Sequence, residues 1–288
     1  MTSPDRLLLP PDALDPAWVE REYNNRELVP EHTQYFTRWE KDSEYVRQTL
    51  PGRLDLAYGP DPRQRVDLFP ARGSDRLLVF IHGGYWRSLD KRMFAWLAPA
   101  WVAEGVSVAL VNYRLCPAVR IPDIVDDAVA ALNWIAVNAP VHGTGAGRMV
   151  LSGHSAGGHL VGALFAAARA RFAFDASRVV GGVPISGVFD FSPLPHFSGN
   201  ADLRLDAASA RALDLHDKRP TLAAPLVVAV GGAESGEFIR QSRLIAGRWE
   251  PQVRALHVLA GLHHYSVLDA LAERGQAVHA ATAALFGA

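Results

Sequence analysis

Short, nearly continuous apolar runs recur along this chain, at residues 77–81, 106–111, 149–151, 179–185, 226–230 and 253–259. Runs of this length, without alternation, suit strands buried on both faces of a parallel sheet. The segments between them carry a different period. Across 124–136 the residues Val125, Ala128, Val129, Leu132 and Ile135 fall on or near one helical stripe. The stretch 157–170 is small and apolar nearly all round, as a buried helix is, and 238–249 and 267–285 complete the alternation. Strand–helix–strand repetition predicts a doubly wound, mostly parallel α/β sheet. Ahead of it, 54–58 and 65–69 alternate apolar with polar, the pattern of half-buried antiparallel strands, around a turn at Gly59-Pro60-Asp61-Pro62.

Residues 11–50 read as helical. Pro30 is placed to open a helix, and Phe36, Trp39 and Val46 fall near one face. The organisation predicted is an N-terminal helical extension over 1–50, packed on the main body or capping its pocket, followed by one α/β domain over 51–288. No fixed-period repeat or long low-complexity tract is visible.

Composition narrows the function classes. The net charge over 288 residues is −1, and no basic run is interleaved with aromatics, so neither nucleic acid nor an anionic membrane surface is an expected partner. The single cysteine, Cys116, allows no intrachain disulfide. The first ten residues hold only the short run Leu7 to Leu9, below the roughly 7–15 apolar residues of a signal peptide core. No apolar stretch approaches the roughly 20 residues of a membrane span. A cytoplasmic protein acting on a small molecule is the expectation, with a homo-oligomer left open.

In a doubly wound sheet, chemistry collects at the carboxyl ends of the strands. After the run at 149–151 stands Gly153-His154-Ser155-Ala156-Gly157-Gly158, then a helix. This is G-x-S-x-G in the strand–turn–helix context of a nucleophile elbow, with small residues giving room for the sharp turn. Ser155 is the candidate nucleophile. His154 should leave the turn in another direction and reads as structural. The run at 77–81 ends in His82-Gly83-Gly84-Tyr85-Trp86, a glycine-rich loop able to turn backbone N–H groups toward an oxyanion. Gly84, with Gly83 beside it, and the N–H of Ala156 are the candidate donors, and His82 braces the loop. A base is expected after the last strand, where His263 and His264 compete. An acid is expected after 226–230, where Glu234 and Glu237 compete; Glu234 lies nearer the start of the loop. No metal-ligand motif is seen, and Gly143-Thr144-Gly145-Ala146-Gly147 precedes a strand and so is no dinucleotide loop.

At these residues the chain resembles the kynurenine formamidase (arylformamidase) and esterase group of the α/β-hydrolase superfamily. The resemblance rests on His82 to Trp86, Gly153 to Gly158 and Glu234-Ser235-Gly236-Glu237-Phe238 with Arg240-Gln241-Ser242. Tyr23-Asn24-Asn25-Arg26, Asn112 to Pro117 and Ser186 to Asp190 add to it, so it spans most of the chain. It implies the α/β-hydrolase fold, a triad of Ser155, Glu234 and His264, and an aryl formamide as substrate; no cofactor is expected, since no ligand cluster is visible. The sequence departs from the family in two places. Glu234 stands where the family usually has Asp, and Tyr265 follows His264 where the family usually has Phe. Tyr85, Trp86, Phe189, Phe191 and Tyr265 are candidates for an aromatic substrate pocket. A carboxylesterase, or a hydrolase-fold protein that binds without catalysis, is the alternative.

Overall fold

A computed structural model describes residues 14–287. The expected signal-peptide-free start lies outside the described residues. One eight-stranded sheet runs in the order β1-β2-β4-β3-β5-β6-β7-β8. The strands are β1 (Arg53–Ala57), β2 (Arg65–Phe69), β3 (Arg76–Ile81), β4 (Ser107–Val111), β5 (Arg148–His154), β6 (Val179–Ile185), β7 (Leu226–Gly231) and β8 (Val253–Leu259). β1 and β2 pair antiparallel, as does β2 with β4, and every pairing from β4 through β8 is parallel.

The apolar runs are continuous because each strand feeds two cores. Leu77, Val79 and Ile81 of β3 bury on one face while Leu78 and Phe80 bury on the other. β7 repeats this, with Leu226, Val228 and Val230 against one core and Val227 and Ala229 against the other. Side chains alternate faces along a strand, so two covered faces require an unbroken run. The first face holds α1 (Pro16–Tyr23), α5 (Ile121–Asn138), α6 (Ala156–Ala166) and α9 (Gly236–Arg248). The second holds α3 (His32–Thr49), a 3₁₀ segment over Lys91–Leu97, α4 (Ala98–Ala103), α10 (Asp269–Ala272) and α11 (Ala277–Leu285). The short helices α2 (Asn25–Leu28), α7 (Asn200–Leu203) and α8 (Ala207–Leu213) sit in connections.

Three expectations are corrected. The single helix expected over 267–285 is broken between α10 and α11, where Gly275 adopts φ +88°. The helical stretch over 11–50 is three helices, broken at Asn24 and again before His32. The apolar stretch judged too short for a membrane is longer than expected: residues Ile121–His142 are long and apolar enough to cross one by length and composition. Here that stretch is a core helix. Ile124, Ala128, Leu132 and Ile135 bury against the sheet, and Asp127 binds the Arg114 guanidinium at 2.6 Å.

α1 and α3 bury on opposite faces of the sheet, so the chain between them must cross the edge where the strands end. Both helices are tied down. Tyr23 donates to Glu237 at 2.7 Å on the first side. On the second, Arg47 of α3 and the buried Lys91 both bind the carboxylate of buried Asp67.

Three buried histidines give the fold an acid-sensitive term. Burial pushes the His82 imidazole down to about 4 and that of His159 to about 3, and holds His154 well below its usual range. The unfolded chain takes up these protons near pH 6.5 and the folded chain does not. Their contribution is therefore present above about pH 6.5 and is lost as pH falls toward 4 and then 3. Each group adds a slope of up to about 1.4 kcal/mol per pH unit in that window. Thermal melts are expected to show Tm falling from about pH 6.5 downward, with a shallower slope in His159→Gln. A Tm flat between pH 7 and 5 would contradict this.

Candidate active site

β5 ends on His154, and Ser155 follows at φ +55° and ψ −117°, a conformation costing about 1–3 kcal/mol in a non-glycine residue. The surroundings hold it. The Ser155 N–H donates to the Ile185 carbonyl at 2.8 Å, and its own carbonyl accepts from His159 at 3.1 Å, so the turn is fastened to β6 and to α6. The turn is tight enough that a Cβ on Gly157 would lie 2.0 Å from the Ile81 carbonyl oxygen, so nothing larger than glycine fits. Ala156 opens α6, where helix geometry leaves the first N–H groups without intrahelical acceptors. The positive end of α6 thus faces the space in front of Ser155.

The loop after β3 passes against this turn. A Cβ on Gly83 would stand 2.9 Å from the His154 carbonyl oxygen and 3.1 Å from Ser155 Cβ. Gly84, Tyr85 and Trp86 all have positive φ, at 107°, 49° and 53°. The Gly84 carbonyl accepts the N–H groups of Arg87 and Ser88, each at 3.0 Å, which closes the loop on itself. His82 is buried beneath. Its ring nitrogens lie 2.7 Å from the Gly83 carbonyl oxygen and 2.9 Å from Asn112 Oδ1, and its ring stacks on Tyr113 at 4.3 Å. The bracing contacts expected of His82 are present.

His264 Nδ1 donates to Glu234 Oε2 at 2.6 Å, with both side chains almost fully buried. The Glu234 carboxylate also accepts from Ser186 Oγ at 2.5 Å and from the Gly231 N–H at 2.7 Å. Three donors suit a buried carboxylate. The bond to Gly231 curls Glu234 back onto its own loop, which takes up the methylene that distinguishes it from Asp. Glu237 faces elsewhere: it accepts from Tyr23 at 2.7 Å and from Arg240 Nη2 at 2.6 Å, and Arg240 also binds Asp190 at 2.9 Å. His263 is likewise occupied. Its Nδ1 accepts the Tyr265 N–H at 3.2 Å, and Nε2 donates to Tyr35 at 3.1 Å.

The His264 ring is held between His154, at 4.6 Å, and Phe238, at 4.7 Å. Burial, reinforced by the neighbouring His264, keeps His154 neutral.

Ser155 and His264 line one cavity of about 60 Å³, together with His154, Gly84, Tyr85 and Tyr265. Three residues expected in that lining, Trp86, Phe189 and Phe191, are elsewhere. Trp86 and Phe189 are fully buried. Trp86 packs on Phe191 and His159, each at 5.2 Å, and Phe191 is buried with it. The Phe189 N–H is held by Gln241 at 2.8 Å, which anchors the loop in the core. Conversely, Asn24, Asn25, Arg26, Phe36 and Trp39 of the N-terminal segment line the cavity, as does Phe197. The sequence marked Tyr23 to Arg26 and Ser186 by resemblance alone. Asp190, Asp214 and His216 bring ligand atoms within 4.8 Å of one another, but they lie outside this cavity. Asp190 is also engaged by Arg240, and Asp214 accepts the Phe191 N–H at 2.6 Å.

Residues 78–228 match a family model described as alpha/beta hydrolase fold. The chain belongs to that family. A protein of Silicibacter sp. TM1040, provisionally described as a thioesterase, has a crystal structure that superposes with a TM-score of 0.81 at 32% identity. The match covers 94% of this chain and 99% of that one. Kynurenine formamidase of Drosophila melanogaster is 26% identical over 74% of this chain and 75% of its own. Esterase B of Lactobacillus rhamnosis, 18% identical with a TM-score of 0.67 over 92% and 96% of the two chains, shares the fold. In this alpha/beta hydrolase Ser155 directly follows the last residue of β5, a strand inside the eight-stranded sheet. The family and the formamidase relatives support an enzyme, a hydrolase acting on ester or amide bonds.

Proposed function

We propose that this alpha/beta hydrolase cleaves aryl formamides, of which N-formyl-kynurenine is representative, through an acyl-enzyme on Ser155. The observation that carries the mechanism is the Glu234–His264 hydrogen bond of 2.6 Å, made by a histidine that shares its cavity with Ser155. Ser155 Oγ attacks the formyl carbonyl, and His264 Nε2 takes the hydroxyl proton. Glu234 fixes the tautomer in which Nδ1 carries the hydrogen and stabilises the imidazolium. Negative charge developing on the carbonyl oxygen meets the N–H of Ala156 and those of the Gly83–Gly84 loop. Collapse breaks the C–N bond, and His264 returns the proton to the departing arylamine. Water, deprotonated by His264, then attacks the formyl-enzyme, the C–Oγ bond breaks to release formate, and His264 returns the proton to Ser155 Oγ.

Two considerations support the substrate. The Drosophila relative is a kynurenine formamidase. The space beside Ser155 is small, about 60 Å³, which suits a one-carbon acyl group, and the Tyr85 and Tyr265 rings in its wall offer an apolar face to an aryl leaving group. The same size also admits an acetyl group, and the Silicibacter relative's description as a thioesterase keeps ester cleavage in view as the second reading.

The test is kcat/KM for N-formyl-kynurenine beside phenyl acetate and a long-chain aryl ester. The formamide is expected to be turned over, and the long-chain ester to be poorest, since methylenes that clash cost more than the roughly 10–200-fold of those that fit. Turnover of esters with none of the formamide would leave the carboxylesterase reading standing and remove the formamidase one.

A further inference from the structure

We propose that Asn25 and Arg26 form a carboxylate-binding subsite in the roof of the cavity, so that the preferred substrate carries an anionic group close to its scissile acyl bond. This rests on the hydrolase reading above and names what the site selects.

The position comes from the fold. α1 and α3 bury on opposite faces of the sheet, and the link between them passes over the carboxyl ends of the strands. Asn24, Asn25 and Arg26 lie on that link and line the same cavity as Ser155 and His264. The link is anchored on both sides of the cavity. Tyr85 donates to the Tyr23 carbonyl at 2.5 Å, and Ser235 donates to the Glu22 carbonyl at 2.7 Å. These two residues come from the loops that also carry Gly84 and Glu234, so the roof is fixed relative to the reacting groups.

Two independent observations point to an acceptor-rich ligand. Asn25 is 4% exposed, and its Nδ2 is buried with no hydrogen-bond partner. A buried donor left unmade costs about 1–3 kcal/mol, and a ligand oxygen in the cavity would supply the missing bond. The indole Nε1 of Trp39, which lines the same space, is also buried and unpartnered. The second observation is charge. The lining holds two guanidinium groups, Arg26 and Arg87, and no carboxylate. Arg87 is neutralised by Asp202 at 2.7 Å. Arg26 forms no ion pair among the described residues, although the adjoining open groove that it also borders carries Glu40, Glu44 and Asp90. Its guanidinium stands 5.9 Å from the centre of the Phe36 ring, and that ring packs on Tyr265 at 5.4 Å, so the charge is directed at a wall of the cavity. A donor-rich lining with one uncompensated cation suits a carboxylate, whose two oxygens accept charge-assisted bonds from a guanidinium and an amide at once.

The test uses the full chain and aryl acetates bearing a ring carboxylate at the ortho, meta or para position, each beside its neutral carboxamide twin. Wild type is expected to prefer at least one carboxylate over its twin by 10-fold or more in kcat/KM, mostly through KM. Arg26→Gln, at an exposed position where folding is not at stake, is expected to lower that within-variant ratio by about 10–100-fold. Asn25→Asp, which keeps the side chain's size and adds a like charge, is expected to push the ratio below one. Equal rates for every pair in wild type, or a ratio unchanged in Arg26→Gln, would overturn the subsite. Failure to turn over any acetate, charged or neutral, together with no labelling of Ser155 by a fluorophosphonate, would instead overturn the hydrolase reading on which the subsite depends.

Discussion

Ser155→Ala is expected to lower kcat by roughly 10⁴–10⁶-fold on any substrate that wild type cleaves, with the fold intact. The size of the loss follows from the position. Ser155 is the residue at the tip of a strand–helix turn at φ +55°, with the α6 N-terminus behind it and Gly83 packed against its Cβ. No neighbouring hydroxyl occupies that place: Ser152 donates to the Val183 carbonyl at 3.0 Å, and Ser186 is spent on Glu234. Alanine removes one oxygen and keeps the small Cβ that the turn already accommodates, so Tm should change little. The measurement is kcat beside a thermal melt. A variant that keeps more than a tenth of wild-type turnover would show that Ser155 is not the nucleophile.

The second large effect separates the two glutamates. Glu234→Gln is expected to lower kcat by about 10²–10⁴-fold, because an amide in place of the carboxylate can present an N–H to His264 Nδ1 and favour the wrong tautomer. It also removes the negative charge that stabilises the imidazolium. Glu237→Gln should change kcat less than 10-fold and appear instead as lost stability. It weakens a buried ion pair with Arg240, whose removal outright costs about 3–5 kcal/mol, and loosens the Tyr23 contact that holds α1. Paired kinetics and melts on both variants decide this. The reverse ranking in kcat would move the acid to Glu237.

What the sequence could carry, and what it could not, follows from the range of the forces involved. Strand positions were legible because burial on both faces of a parallel sheet demands unbroken apolar runs, and Leu77 to Ile81 divides between the two cores residue by residue. The sharp turns were legible because Gly153, Gly157 and the glycines after His82 satisfy a local steric demand. The choice between Glu234 and Glu237 was not local. It depends on Tyr23, 214 residues away, which occupies Glu237 and leaves Glu234 facing His264. Aromatic composition could not say which way Trp86 points, since partners distant in sequence, His159 and Phe191, hold it in the core while Tyr85 stays at the cavity. The segment 91–103 shows no helical period because it is apolar nearly throughout and divides into a 3₁₀ segment and a six-residue helix that holds Pro99. Lys91 is buried there only because Asp55 and Asp67 reach it from β1 and β2, each at 2.6 Å. The helices at 200–213 are too short to show a period. The helical break near residue 24 left no hydrophobic signal, yet it places Asn25 and Arg26 over the site.

The central claim is that Ser155 becomes covalently acylated. Its most direct test is peptide mass mapping after treatment of the whole protein with an alkyl fluorophosphonate. The adduct is expected on the peptide containing Ser155 at one equivalent per chain, with loss of activity in parallel, and none in Ser155→Ala. An adduct on another residue, or full inactivation with Ser155 unmodified, would contradict the account.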